Sequence, residues 1–124
     1  MSSKKKVLIV DDSGYMRQLI RRHLESKGFE VAGEATDGNE VVEMATALQP
    51  DLITMDLSMK NLGGIEATKL VKQAVPNAKV IVVSALGESR FIKEAVAAGA
   101  HDFIIKPFTE DRLISSVKSA LKMT

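Results

Sequence analysis

The sequence predicts a doubly wound α/β domain, a (βα)5 chain in which five strands alternate with five helices around one parallel sheet. Two observations carry that expectation. Residues 7–10, 52–55, 80–83 and 103–105 are short, largely β-branched runs, apolar on both faces, as parallel strands covered by helices on each side must be. The strand anchors Val7, Val31, Leu52, Val80 and Phe103 recur about every 21 to 28 residues, room for a strand, a right-handed crossover helix and two short loops.

The elements follow in order. Lys4-Lys5-Lys6 reads as a solvated lead-in to the first strand. Met16, Leu19, Ile20, His23 and Leu24 then recur at helical spacing, and Gly28 ends that helix. Residues 30–35 form a weaker strand, whose alternation and Gly33 place it at an edge. Val41, Val42, Ala45 and Leu48 mark the second helix, which follows Gly38 and ends before Pro50. After the strand at 52–55, the third helix is predicted over 64–74, stopping before Pro76. Ile92, Ala95, Val96 and Gly99 mark the fourth helix. Leu113, Ile114, Val117, Ala120 and Leu121 mark the fifth, with Thr109 as its N-cap and Asp111 in its first turn.

Composition narrows the functions. The chain has 124 residues, 45% hydrophobic and 27% charged, the size and balance of a single folded domain spanning 1–124. Seventeen basic against sixteen acidic residues leave a net charge of +1, which argues against direct binding of nucleic acid. There is no cysteine, hence no disulfide framework, thiolate nucleophile or cysteine-based zinc site. The two histidines, His23 and His101, are too few for a histidine metal cage. No apolar run is long enough to enter a membrane, and none follows the N-terminal lysines as a secretory signal requires. A cytoplasmic location is expected.

In doubly wound sheets, ligands bind beyond the carboxyl ends of the strands. The residues that follow the apolar runs are Asp11-Asp12, Asp56, Ser84 and Lys106. Three carboxylates, a hydroxyl and an amine therefore converge on one rim. Clustered carboxylates repel, and one is driven to protonate unless a cation binds. A hard oxygen donor set without imidazole or thiolate suits Mg2+. Lys106 is a compact positive charge for a phosphoryl oxygen, and Ser84 and the Ala85 N–H add donors. Such a set stabilises a phosphoryl group in transfer. Asp56, on the central strand, is the natural nucleophile.

The stretches Val7-Leu8-Ile9-Val10-Asp11-Asp12-Ser13, Met55-Asp56-Leu57-Ser58-Met59, Ser84-Ala85 and Lys106-Pro107-Phe108 together resemble the receiver domain of two-component response regulators, across essentially the whole chain. Within that family the chain is most similar to stand-alone chemotaxis regulators, because it stops after the fifth helix. The resemblance implies a flavodoxin-like strand order, 2-1-3-4-5. It implies that Asp56 accepts a phosphoryl group from a histidine kinase, with Mg2+ held by Asp11, Asp12, Asp56 and the Ser58 carbonyl. Ser84, the Ala85 N–H and Lys106 would hold the phosphoryl oxygens. Phe103 matches an aromatic switch position that moves inward as Ser84 shifts, and the Lys106-Pro107 bond is expected to be cis. The implied output is a monomer whose fourth helix, fifth strand and fifth helix dock on a flagellar motor switch protein. A phosphatase is a further implied partner.

Some positions depart from the family's pattern. Lys60 stands where many members have proline, and Gly63 where an aspartate is common. The loop 60–64 is therefore expected to be looser and more positive. Phe103 replaces a tyrosine found in many chemotaxis members, which removes a hydroxyl from the contact with a partner. Ser58 and Leu86 flank the site where the family tunes phosphoryl lifetime.

Other functions fit less well. A Mg2+-dependent aspartyl phosphatase normally carries a second Asp two residues after its nucleophile, and Ser58 stands there. It also carries a cap insertion for which this chain has no length. A flavodoxin-like electron carrier needs a Ser/Thr/Gly phosphate loop where Asp11 and Asp12 would repel phosphate, and no Rossmann or P-loop glycine pattern occurs. The expectation is a binding switch that assists its own modification rather than an enzyme. A phosphorelay intermediate and an excised receiver of a transcription regulator stay open beside the chemotaxis reading. His23 reads as a half-buried stripe residue, His101 carries no assigned chemistry, and the methionines read as core fillers. Phe91 reads equally as peripheral core or as a partner anchor.

Overall fold

A computed structural model describes residues 4–123. Its strands are β1 (Lys6–Val10), β2 (Glu30–Ala35), β3 (Leu52–Met55), β4 (Lys79–Ser84) and β5 (Asp102–Ile105). They form one parallel sheet in the order β2-β1-β3-β4-β5, the order the resemblance implies. Between them run α1 (Gly14–Ser26), α2 (Gly38–Leu48), α3 (Gly64–Ala74), α4 (Ser89–Ala98) and α5 (Glu110–Ala120).

Strand side chains alternate between two cores, as the pleat dictates. Val7, Ile9, Leu52 and Ile81 face one core with Ile20 and Leu24 of α1 and Leu113 and Val117 of α5. Leu8, Val10, Ile53 and Met55 face the other, with Val41 of α2 and Val71 of α3. A third cluster joins Val82, Ala95, Ala100 and Phe103 where α4 covers β4 and β5. Both faces of the central strands are dry, so their sequences read as continuous apolar runs.

Local chemistry fixes the ends. Ser13 Oγ accepts from the Met16 N–H at 3.2 Å, Asp37 from Asn39 at 2.9 Å and Thr109 from Arg112 at 3.1 Å, so three helices begin on side-chain caps. Gly99, at φ 111°, closes α4 in the left-handed region. β2 is an edge strand, as its sequence predicts. Val7 pairs with Val31 but Leu8 with Gly33, so Ala32 is an extra residue in the register. A Cβ at Gly33 would sit 3.0 Å from Leu48 Cδ1 and 3.2 Å from Met44 Cε; the glycine lets α2 lie close against this edge.

Among the described residues, one buried side-chain polar atom is unpaired. Thr54, fully buried in β3, has a hydroxyl with no hydrogen-bond partner. An orphaned buried hydroxyl costs about 1–3 kcal/mol relative to an apolar group of the same shape. Thr54→Val is expected to stabilise the fold by about 1 kcal/mol, raising the melting temperature by about 3–5 °C. A thermal melt checks this, and an unchanged or lower midpoint contradicts the orphan.

Candidate functional site

The carboxyl ends of β1, β3, β4 and β5 build the site. β1 delivers Asp11 and Asp12 directly after Val10, and β3 delivers Asp56 directly after Met55. The Asp56 N–H donates to the Val10 carbonyl at 3.0 Å and the Asp11 N–H to the Ala35 carbonyl at 3.1 Å. Ladder bonds therefore hold both acids. Asp11 is 1% exposed and Asp56 4%, whereas Asp12 stands in solvent. One oxygen from each of the three lies within 4.8 Å of the others.

Lys106, directly after β5, supplies the counter-charge. Its ammonium lies 2.8 Å from Asp11 Oδ2 and 3.8 Å from Asp56 Oδ2. Asp11 Oδ1 accepts from the Ser13 N–H at 2.9 Å, so both Asp11 oxygens are engaged. Asp56 is less well satisfied, with only a long 3.4 Å contact from the Ser58 N–H. Burial, then the neighbouring Asp11 charge, pushes the Asp56 carboxyl up to about 6 from the ordinary 3.8, against the pull of Lys106. Half-neutralised clustered carboxylates, one of them open to water, fit a hard divalent cation that keeps part of its hydration shell. Asp11, Asp12 and Asp56 would hold it, and it would neutralise charge on a transferring phosphoryl group.

Lys106→Met tests the balance of charge. It removes the ammonium and leaves Asp11 buried without its ion pair, expected to cost the metal-free fold about 3 kcal/mol near pH 7.5. The loss should shrink near pH 5, where Asp56 takes up a proton and the cluster carries less charge. Urea unfolding at the two pH values measures it, and an equal loss at both contradicts the coupling.

The remaining residues sit as follows. Ser84 is fully buried at the end of β4. Its Oγ accepts from the Leu86 N–H at 3.1 Å, which leaves the hydroxyl hydrogen to donate elsewhere. Ala85 follows on the exposed rim, and Ser58 is exposed on the loop after Asp56. The Lys106-Pro107 bond is cis. Leu86 packs on the cluster that contains Phe103, so the Ser84 hydroxyl and the Phe103 ring share one intermediate.

Phe103 is buried, packed with Leu57, Val82, Ala95 and Ala100. Its ring carries no hydroxyl that needs water, so the whole side chain can pack against apolar neighbours. Its backbone is fixed too, because Arg112 Nη2 donates to the Phe103 carbonyl at 3.2 Å while Arg112 and Ser116 bind Asp102. Phe91 is half-buried against the same cluster, with the Arg90 guanidinium 4.6 Å above its ring. His23 is half-buried on α1, its Nδ1 2.8 Å from Glu110 Oε1 and its ring edge-on to Phe108.

The loop 60–64 is joined to the start of α2 by hydrogen bonds. Asp37 accepts from the N–H groups of Asn61 and Leu62 at 2.9 and 3.3 Å, and Gly64 packs directly over the Asp56 carbonyl. Sequence reasoning gave Asp37 no role, and read Gly38 and Gly64 only as helix boundaries. All three act on a segment outside their own helix, which local patterns do not show.

Comparison with known proteins places this geometry. The response regulator receiver domain family matches residues 7–118. Chemotaxis protein CheY of Thermotoga maritima is 46% identical over 95% of this chain and 98% of its own length. CheY of Bacillus subtilis is 42% identical over 94% of this chain and 97% of its own. Among solved structures, the CheX-CheY-BeF3-Mg2+ complex from Borrelia burgdorferi matches with a TM-score of 0.91 and 32% identity, covering 94% of this chain and 89% of that one.

Proposed function

The chain belongs to the response regulator receiver domain family, and from that premise we propose that it is a phosphorylation-controlled binding switch in chemotaxis. The observation that carries this reading is Asp56, a buried carboxylate on the central strand flanked by two acids and one ammonium. Similarity to CheY proteins along nearly the whole of both chains supports the chemotaxis assignment. The Borrelia neighbour's BeF3 and Mg2+ support Mg2+ as cofactor here.

The residues divide the work. An ionised Asp56 oxygen attacks phosphorus, the bond from phosphorus to the donor nitrogen or oxygen breaks, and the product is an aspartyl phosphate. Raising the Asp56 carboxyl to about 6 leaves most of it ionised near neutral pH, and more nucleophilic than an ordinary carboxylate. Asp11, Asp12, Asp56 and the Ser58 carbonyl would hold Mg2+, which would offset the negative charge that develops. Lys106 turns from Asp11 to a phosphoryl oxygen, and the free Ser84 hydroxyl hydrogen and the Ala85 N–H donate to the others. The Ser84 movement reaches Leu86, then the cluster around Phe103, then the α4-β5-α5 surface that a motor switch protein would read.

The chain is thus a phosphoacceptor rather than a turnover enzyme, working in the cytoplasm with a histidine kinase as donor and a phosphatase to reset it. Among the described residues, no helix is long and apolar enough to cross a membrane. Acetyl phosphate with Mg2+ tests the reading. Intact mass spectrometry should show one added phosphoryl group, mapped to Asp56 and labile in base. No adduct, or an adduct mapped elsewhere, overturns it.

A further inference from the structure

We propose that Asp37 is a positioning residue for the acidic site, a latch that holds the loop between β3 and α3 against the start of α2. The inference rests on the reading of Asp11, Asp12 and Asp56 as a cation site. One Asp37 carboxylate joins two segments. Its Oδ1 accepts from Asn39 of α2 at 2.9 Å and from Leu62 at 3.3 Å, and its Oδ2 accepts from Asn61 at 2.9 Å. The residue lies at the wall of the cleft with little exposure, and those backbone donors hold its carboxyl below the usual range.

The loop needs such a tether. At its start, the only bond from Ser58 to Asp56 is 3.4 Å long, too weak to fix a backbone. Lys60 and Asn61 at the tip are exposed, with apolar packing only from Met59 and Leu62 on either side of them. Next to Asp37, a Cβ on Gly38 would overlap the Leu62 carbonyl and lie 2.9 Å from Leu62 Cβ; the two segments are in close contact. Together they wall a cleft of about 230 Å3 shared by Asp12, Thr36, Asp37, Lys60 and Asn61. The latch therefore sets where Ser58 and Lys60 stand relative to Asp12 and Asp56, without touching the cation itself.

Three variants separate latch, cap and charge. Asp37→Ser keeps a good helix cap but is too short to reach Asn61 and Leu62. Asp37→Asn removes the same charge yet retains one oxygen for Asn39 and Leu62. Gly38→Ala leaves all charges in place and pushes Leu62 away. Mg2+ affinity by calorimetry is measured beside amide exchange at Asn61 and Leu62 and a thermal melt. Asp37→Ser should melt within about 3 °C of wild type, exchange both amides faster, and bind Mg2+ about tenfold more weakly, the scale of a lost supporting contact. Gly38→Ala should weaken Mg2+ similarly, and Asp37→Asn less. Wild-type Mg2+ affinity in Asp37→Ser overturns the latch. Equal losses in the Asn and Ser variants, with none in Gly38→Ala, make charge the cause and overturn it too. If Asp37→Ser fails to fold, the Gly38→Ala affinity decides. A wild-type chain that binds no Mg2+ fails the reading of the site, and the latch with it; normal binding in wild type and variants alike fails the latch alone.

Discussion

Asp56→Asn is expected to abolish phosphoryl acceptance and, in the absence of Mg2+, to make the fold more stable above pH 6 than the wild type. The first effect follows because an amide oxygen is a poor nucleophile and no second buried acid is free to replace it: both oxygens of Asp11 are engaged by Lys106 and the Ser13 N–H. The second follows from the raised Asp56 carboxyl, about 6 against 3.8. A group that holds its proton more tightly when folded contributes stability fully below its unfolded value. That contribution is lost as pH rises through the folded value. Wild type near pH 7.5 therefore carries a charge the fold disfavours, and the Asn variant does not. The full shift would correspond to about 3 kcal/mol, which water at the rim reduces to about 1–2 kcal/mol. Near pH 5 the difference should narrow. Added Mg2+ should stabilise wild type and leave the variant almost unchanged. Urea melts at both pH values, with and without Mg2+, measure all of this. A stability gain that is the same at both pH values would remove the electrostatic account of the site.

The strand ends were legible in the sequence because the physics that writes them is local. A doubly buried parallel strand must be apolar throughout, so the first charged residue after Val10 or Met55 marks the rim where ligands bind. Extended to the first polar residue after each apolar run, that rule gathers Asp11, Asp12, Asp56, Ser84 and Lys106. It does not say which acid Lys106 prefers, since the choice between 2.8 Å to Asp11 and 3.8 Å to Asp56 depends on sheet twist and depth. The packing of Phe103 against Leu57, Val82, Ala95 and Ala100 brings together residues from four separate segments, which local patterns do not show. Lys60 and Gly63 suggested a loose loop by composition, yet Asp37, remote in sequence, ties it down. Thr54 looked like an ordinary strand residue; its orphaned hydroxyl is a property of the core around it.

Gly64→Ala is expected to destabilise the fold by about 3 kcal/mol and to slow phosphoryl acceptance at least tenfold, the cost of forcing a rigid neighbour to move. At an unconstrained helix start the same change would stabilise by about 0.5–1 kcal/mol, since glycine loses more entropy on folding. Here the sign reverses for a steric reason. A Cβ on Gly64 would overlap the Asp56 carbonyl oxygen and lie 2.9 Å from both Asp56 C and Leu57 Cα. All three are backbone atoms, which cannot rotate away as a side chain would. The Gly64 N–H also donates to the Leu57 carbonyl at 3.1 Å, so α3 starts pinned against the residue that bears the nucleophile. Relief must come from moving α3 outward or from tilting the Asp56 peptide, and either displaces its carboxylate from Asp11 and Lys106. Gly63 is the internal control. Its Cβ would meet only the Leu57 carbonyl at 3.5 Å, ordinary contact, so Gly63→Ala should stay within about 0.5 kcal/mol of wild type and be phosphorylated normally. Two adjacent glycines thus carry opposite expectations, which propensity cannot produce. Urea unfolding and the rate of modification by acetyl phosphate read both variants, and a Gly64→Ala protein that matches Gly63→Ala in the two measurements would show that the close approach of α3 to Asp56 does not constrain the site.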